Sequence, residues 1–204
     1  MKTGNLVLLA CLSASILISG CANLQIAQDV QQGRNALHAR QPALAVSYLR
    51  EAADLDPNYR APNPLDVGVL SYLGRAYYET GNLSEARNVL EKALANDMDD
   101  ALARLYLGLV LLRSGDQDRG RREVENGLKG IDGKLENLAA SPYRGIFWDP
   151  GRKIRSEIQG TLSGKLGQAE LITATEGIAS KLDEEVEIAR RDELRERFFR
   201  GGDN

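Results

Sequence analysis

The chain aligns with itself, without gaps, at an offset of 34 residues. Laid over Ala101–Lys134, the segment Val67–Asp100 places Tyr72 on Tyr106, Leu73 on Leu107, Gly74 on Gly108, Gly81 on Gly115, Leu90 on Val124 and Leu94 on Leu128. Arg87 falls on Arg121 and Glu91 on Glu125. A fixed period of this size marks stacked supersecondary units, each too small to bury its apolar face alone. Within one unit Leu70, Leu73 and Tyr77 recur at i, i+3 and i+7, one face of a helix, and Leu83, Ala86, Leu90, Ala93 and Leu94 form the stripe of a second. Thr80-Gly81-Asn82 separates the two. Gly81 is suited to the left-handed conformation that ends a helix, and Asn82 or Ser84 is suited to cap the next.

A degenerate unit precedes these two. Gly33, Ala36, Ala45, Leu49, Ala52 and Pro57 keep the register from about Ile26, with Asp29 and Gln32 at two positions expected to be apolar. Arg40-Gln41-Pro42 stands in place of the glycine turn, and Arg60–Asp66 is a seven-residue insertion. The pattern Leu70, Leu73, Gly74, Tyr77, Ala86, Leu90, Ala93 resembles the tetratricopeptide repeat, with Met98 where that family usually has proline. The resemblance spans about residues 26–134. It implies an all-α fold, a helical-hairpin solenoid of about three repeats, and the apolar periodicity beyond it adds long C-terminal helices capping the solenoid. It also implies a concave groove lined by the first helix of each repeat. The groove positions would be Arg34, Leu37 and His38, then Ser71, Arg75, Tyr78 and Glu79, and in the third repeat Leu102, Leu105, Leu109 and Leu112. Arg34 and Arg75 hold the same place in successive repeats and are suited to clamp a carboxylate. The first two repeats are expected to be the open binding surface.

The third-repeat helix, Ala101–Ser114, is apolar all round, and such a helix must be buried on every side. Its groove leucines are therefore expected to lie under the long C-terminal helix. That helix is expected from Gln168 to about Arg200, with Leu171, Thr175, Ile178, Leu182, Val186 and Ala189 on one stripe, Gly177 as a place to bend, and Phe198-Phe199 at its end as a docking point or a fold-back. A shorter helix, Arg152–Leu166, carries Ile154, Ile158, Leu162 and Leu166 at i+4 spacing. Between the repeats and these helices, Ser141–Gly151 reads as a loop by its prolines and glycines, and it holds the single tryptophan. Two readings of its aromatic residues stay open: an anchor for a partner, since Trp, Tyr and Arg dominate interface energies, or Phe147 and Trp148 as a plug between repeats and C-terminal helices. The plug is preferred.

The N-terminus reads as an address. One lysine precedes Leu6–Ile18, thirteen residues without charge, then Ile18-Ser19-Gly20-Cys21. That apolar run suits a signal peptide and is too short for a span of roughly 20 residues. Ile18-Ser19-Gly20-Cys21 resembles the lipobox of bacterial lipoproteins. Leu8-Leu9-Ala10-Cys11 fits the same four-residue pattern but leaves too short an apolar run before it. The resemblance implies removal of residues 1–20, acylation of Cys21 with three chains, and, with Ala22 rather than aspartate next, the outer membrane facing the periplasm. The domains expected are thus a signal peptide (1–20), an anchor with short linker and repeats (21–134), and an aromatic loop with C-terminal helices (135–204). Lys2 is the only charge in the removed segment, so the remaining 184 residues carry a net charge of −4. Neither cysteine is then free for a disulfide or redox chemistry.

Catalytic signals are missing. His38 is the single histidine, and it has no nucleophile motif near it. The sequence lacks CxxC, HExxH and phosphate-loop motifs, and Asp97–Asp100 lacks the glycine and distal glutamate of a calcium loop. No catalytic residue, metal or cofactor is therefore expected beyond the lipid on Cys21. The acidic balance excludes the electrostatic signature of a nucleic-acid binder. The expected function is a periplasmic scaffold that binds a protein partner in the cell envelope, the lipid holding it to the membrane. Similar lipoproteins act as assembly factors for pili, secretion channels or outer-membrane proteins. Two other classes stay in view: an envelope enzyme or accessory subunit acting on peptidoglycan, and a self-assembling structural component.

Overall fold

A computed structural model describes residues 23–62, 64–142 and 145–201, with side chains to 196. Residues 1–22, with Cys21, the expected acylation site, and Ala22, lie outside the described residues, as do Tyr143 and the side chains of Phe198 and Phe199.

Among the described residues the chain forms eight helices and no strand: α1 (23–38), α2 (Pro42–Leu55), α3 (Val69–Glu79), α4 (Leu83–Asn96), α5 (Ala101–Arg113), α6 (Gln117–Ala139), α7 (Lys153–Ser163) and α8 (Gln168–Gly201). The first six pair as three hairpins. Local chemistry sets each boundary. Gly81 and Gly115 have φ of 79° and 93°, and the degenerate turn reaches the same region with Arg40 at 57°. Pro42 then opens α2, where a proline costs no hydrogen bond. Asn82, Asp100 and Asp116 cap α4, α5 and α6 by accepting the backbone N–H three residues on.

Asp100 does more than cap. Its Oδ2 accepts from Ser71 Oγ at 2.7 Å and from the Gly68 amide at 3.3 Å, so one buried carboxylate ties the second repeat to the third. The insertion folds into a short hairpin-like loop, with Ala61 N donating to Val67 O and Val69 N to Tyr59 O. It buries Ala61 and Leu65, beside Val67 at the start of the next repeat, and docks on α6, where Lys134 Nζ donates to Leu65 O at 2.9 Å. Sequence spacing marks this segment as an interruption; the structure makes it a wall.

α5 is buried along eleven of its thirteen residues and packs against α3, α4, α6 and α8. Leu102, Leu105, Leu109 and Leu112 are all within it, and none is more than 7% exposed. α8 is unbroken through Gly177 and, at 34 residues, about 50 Å long. Its buried positions are Leu171, Thr175, Ile178, Ala179, Leu182, Val186, Ala189 and Glu193, a single stripe. It runs across all three hairpins: Gln168 Nε2 donates to Leu112 O at the third, and Arg190 Nη1 to Gln31 Oε1 at the first.

Candidate functional site: an arginine–tyrosine groove

The first helices of the three hairpins, α1, α3 and α5, line the concave side, and α8 lies along it. Arg34 of α1 stacks on the Tyr72 ring of α3, 5.6 Å from its centroid, and Arg75 of α3 stacks on Tyr106 of α5 at 5.7 Å. These pairs are repeat equivalents: Arg34 and Arg75 share one register position once the insertion is discounted, as do Tyr72 and Tyr106. A third guanidinium, Arg113, stands over Tyr78 at 4.5 Å. Guanidinium on an aromatic face gains from the ring quadrupole and is held flat, ready to pair a carboxylate.

Each of the three arginines meets an acid of α8. Arg34 pairs with Glu187 at 2.6 Å, Arg75 with Asp183, and Arg113 with Glu176 at 2.6 Å. Tyr78 Oη donates to the same Glu176. Positions 176, 183 and 187 are i, i+7 and i+11, so the acids form a row beside the apolar stripe. Burial alone would depress the Arg75 guanidinium, but Tyr106, Asp183 and Glu79 outweigh it and hold its pKa above the ordinary range. Burial, then the bond to Glu176, pushes the Tyr78 phenol far up, and burial does the same for Tyr106. Both phenols therefore stay protonated at physiological pH, and Tyr78 is a donor to Glu176.

The expected groove residues thus separate. Arg34, Arg75 and Tyr78 come together under α8, and Glu79 pairs with Arg75 at 2.7 Å from the rim. Ser71 turns away to Asp100, and Leu37 sits in the core at 4% exposure. His38 is exposed at the groove's edge, in an open recess of about 350 Å³ shared with Asn35, Glu187 and Arg191. The expectation that the first two repeats present an open surface is corrected: α8 covers them as well as the third. Nor do Arg34 and Arg75 share one carboxylate; each receives its own. Sequence reasoning passed over Tyr72, Tyr106, Arg113 and the acids of α8. The recurring Arg/Tyr register was readable, whereas Arg113 holds the position that is Glu79 in the preceding repeat and follows no repeat rule.

A tetratricopeptide-repeat family profile matches residues 30–87 and 72–135, together just over half of the chain. The chain belongs to the tetratricopeptide-repeat family. That family is a protein-interaction module, typically without catalytic activity, and protein binding is the role its repeats bring. No curated protein matches the chain. The two overlapping matches run from within α1 to within α6, so α7 and α8 lie outside the matched repeats.

The Arg75 pairing has a measurable consequence. Arg75→Met leaves Asp183 facing a buried ring, and the expected loss is about 2 kcal/mol, below a fully buried pair because Asp183 and Glu79 stay about a quarter exposed. Urea unfolding of Arg75→Met, Asp183→Asn and the double variant measures the coupling. A coupling under about 0.5 kcal/mol would mean that the pair is ornamental.

Proposed function

We propose that the protein is a lipid-anchored, protein-binding scaffold on the periplasmic face of the bacterial outer membrane, acting as an assembly factor for an envelope partner. The observation that carries the reading is a tetratricopeptide groove whose arginine–tyrosine rungs grip the acidic row of a helix: it is built to hold a helical protein segment. Repeat arrays suit scaffolding because the surface can vary while the stacked core stays rigid.

The anchor rests on Ile18-Ser19-Gly20-Cys21 after the uncharged run. Several acyl chains hold a protein firmly where one is marginal. The described part of α1 begins two residues after Cys21, and a residue reaches at most about 3.6 Å, so the first repeat would stand within roughly 7 Å of the acylated residue. A scaffold so mounted is held close to the membrane surface rather than swinging on a long tether.

One experiment tests both parts. A photo-crosslinking residue at His38, on the exposed rim, is expected to capture an envelope protein in cells, and Cys21→Ser is expected to abolish fatty-acid incorporation and lower that capture. Labelling that persists in Cys21→Ser would sink the anchor. If the His38 probe captures no other protein, the scaffold reading fails. Probes at Arg75 or Tyr78 are unsuitable, since both side chains already face α8.

A further inference from the structure

The groove is occupied by a helix of the same chain, and the fit of that helix is incomplete. Thr175 is fully buried in the stripe of α8, yet its Oγ1 has no hydrogen-bond partner. A buried hydroxyl without a partner weakens the packed state, since its desolvation is not offset by a hydrogen bond. Near the middle of the groove, Leu182, Asp183 and Val186 do not close against Arg34, Tyr72 and Leu102, and a cavity of about 20 Å³ remains between them. That is room for one water. The large apolar side chains that α8 buries are Leu171, Ile178, Leu182 and Val186, with Ile172 half-buried beside them, and the rest of its buried stripe is small or polar. Charge complementarity, by contrast, is complete along one flank: three groove arginines, three acids.

The connection to α8 is short and is held at one residue, where Leu166 O accepts from Arg121 Nη2 at 2.7 Å. Residues 164–167, Gly-Lys-Leu-Gly, lie between α7 and α8 outside any helix. The other flank of α8 is tied separately, by Lys181–Glu157 and by Trp148 Nε1 donating to Glu193 Oε1 at 2.9 Å. Those ties set the register in which Asp183 and Glu187 meet Arg75 and Arg34, and they touch none of the groove arginines.

We propose that α8 is an internal occupant standing in for the groove's external ligand: an amphipathic helix of another protein carrying carboxylates at i, i+7 and i+11, seated with its N-terminus at the third repeat, which binds by displacing α8. This rests on the protein-binding reading above and specifies its partner. The acids at 176, 183 and 187 are the template for the ligand, and the Arg34/Tyr72, Arg75/Tyr106 and Arg113/Tyr78 rungs are the reader. α8 then sets the threshold. Where it covers the groove about 99% of the time, an external helix binds about 100-fold more weakly than to the open groove.

The test uses the full chain and a labelled peptide with the sequence of residues 168–196. In the full-length variant Glu176→Arg/Asp183→Arg/Glu187→Arg the groove arginines remain while α8 is repelled. That variant is expected to bind the peptide about 100-fold more tightly than the unaltered protein, and a peptide with the three acids as glutamine is expected not to bind. A variant that is folded by circular dichroism and ignores the peptide overturns the proposal, as does equal binding of the glutamine peptide. Should the variant not fold, native-state hydrogen exchange of the unaltered chain decides. Amides of 171–189 that exchange through an opening less costly than that of α5 support release; exchange only with global unfolding overturns it. A concentration-dependent dimer that exchanges α8 between copies also overturns it, by naming a second copy as occupant. If the peptide fails while the His38 probe captures a partner, the scaffold reading stands and only this inference falls.

Discussion

Trp148→Ala is expected to cost about 3–5 kcal/mol, among the largest effects of any single substitution in this chain. The indole is 1% exposed, and its N–H donates to Glu193 of α8. It stands where three parts of the chain converge: the insertion at Ala61 and Pro62, the loop that carries it, and α8 at Val186 and Arg190, all around a recess of about 530 Å³. Alanine would leave this junction without its largest side chain and open the recess inward. For a chain of this length, each kcal/mol lowers the melting temperature by about 2–4 °C, so a drop of about 10 °C is expected in a thermal scan followed by circular dichroism. A partner anchor would behave in the opposite way, losing binding with stability unchanged. A loss below about 1 kcal/mol would return Trp148 to that role. As the single tryptophan, Trp148 also reports on itself: its emission in the unaltered protein is expected to be blue-shifted and shielded from quenchers.

The plug and the solenoid differ in how far they were readable. The hairpins rest on signals within one repeat, namely leucines at i, i+3 and i+4, a turn glycine and a capping residue. Hence α3 to α6 fall close to where periodicity sets them. α8 was legible as an element too, and its stripe of Leu171, Thr175, Ile178, Leu182, Val186 and Ala189 is the stripe that is buried. Its path was half legible. An all-apolar α5 demands a cover and so calls for α8 over Leu102–Leu112. Nothing local in Arg34 or Arg75 says that the same helix continues over the first two repeats. That information lies in pairs such as Arg34 and Glu187, 153 residues apart, and one sequence does not reveal which of many acids is meant. The insertion failed to be read for the same reason, since its anchor is a lysine of α6 donating to a backbone carbonyl. Arg40 shows a different failure. It takes the left-handed conformation that Gly81 and Gly115 take in the later turns, at a steric cost that composition does not register.

Glycine content also hides a distinction that the structure makes sharp. Gly33, Gly74 and Gly108 share one repeat position, where the two helices of a hairpin cross. In the first two hairpins a Cβ there would meet the side chain of Leu49 or Leu90, at 2.4 Å. At Gly108 it would meet backbone: the Val124 amide nitrogen at 2.5 Å and the Gly120 carbonyl oxygen at 2.8 Å. A leucine can change rotamer, but a helix backbone can yield only by moving as a whole, and α6 is fixed by Gly120 and Gly127 packing in turn on α5. Gly108→Ala is therefore expected to cost about 3 kcal/mol, at the upper end of overpacking, and Gly74→Ala about half as much. Gly133 supplies the control. It is exposed on α6 with nothing within 4 Å of an added Cβ, so Gly133→Ala relieves only chain entropy and is expected to stabilise by about 0.5–1 kcal/mol. Urea denaturation of the three variants places them on one scale. If Gly74→Ala proves as costly as Gly108→Ala, backbone contact is not what distinguishes the third hairpin. The ordering bears on function because α5 is both the wall of that close crossing and the floor under α8. A substitution that separates α5 from α6 would shift Tyr106 away from Arg75, and the groove would lose a rung without any change to its own residues.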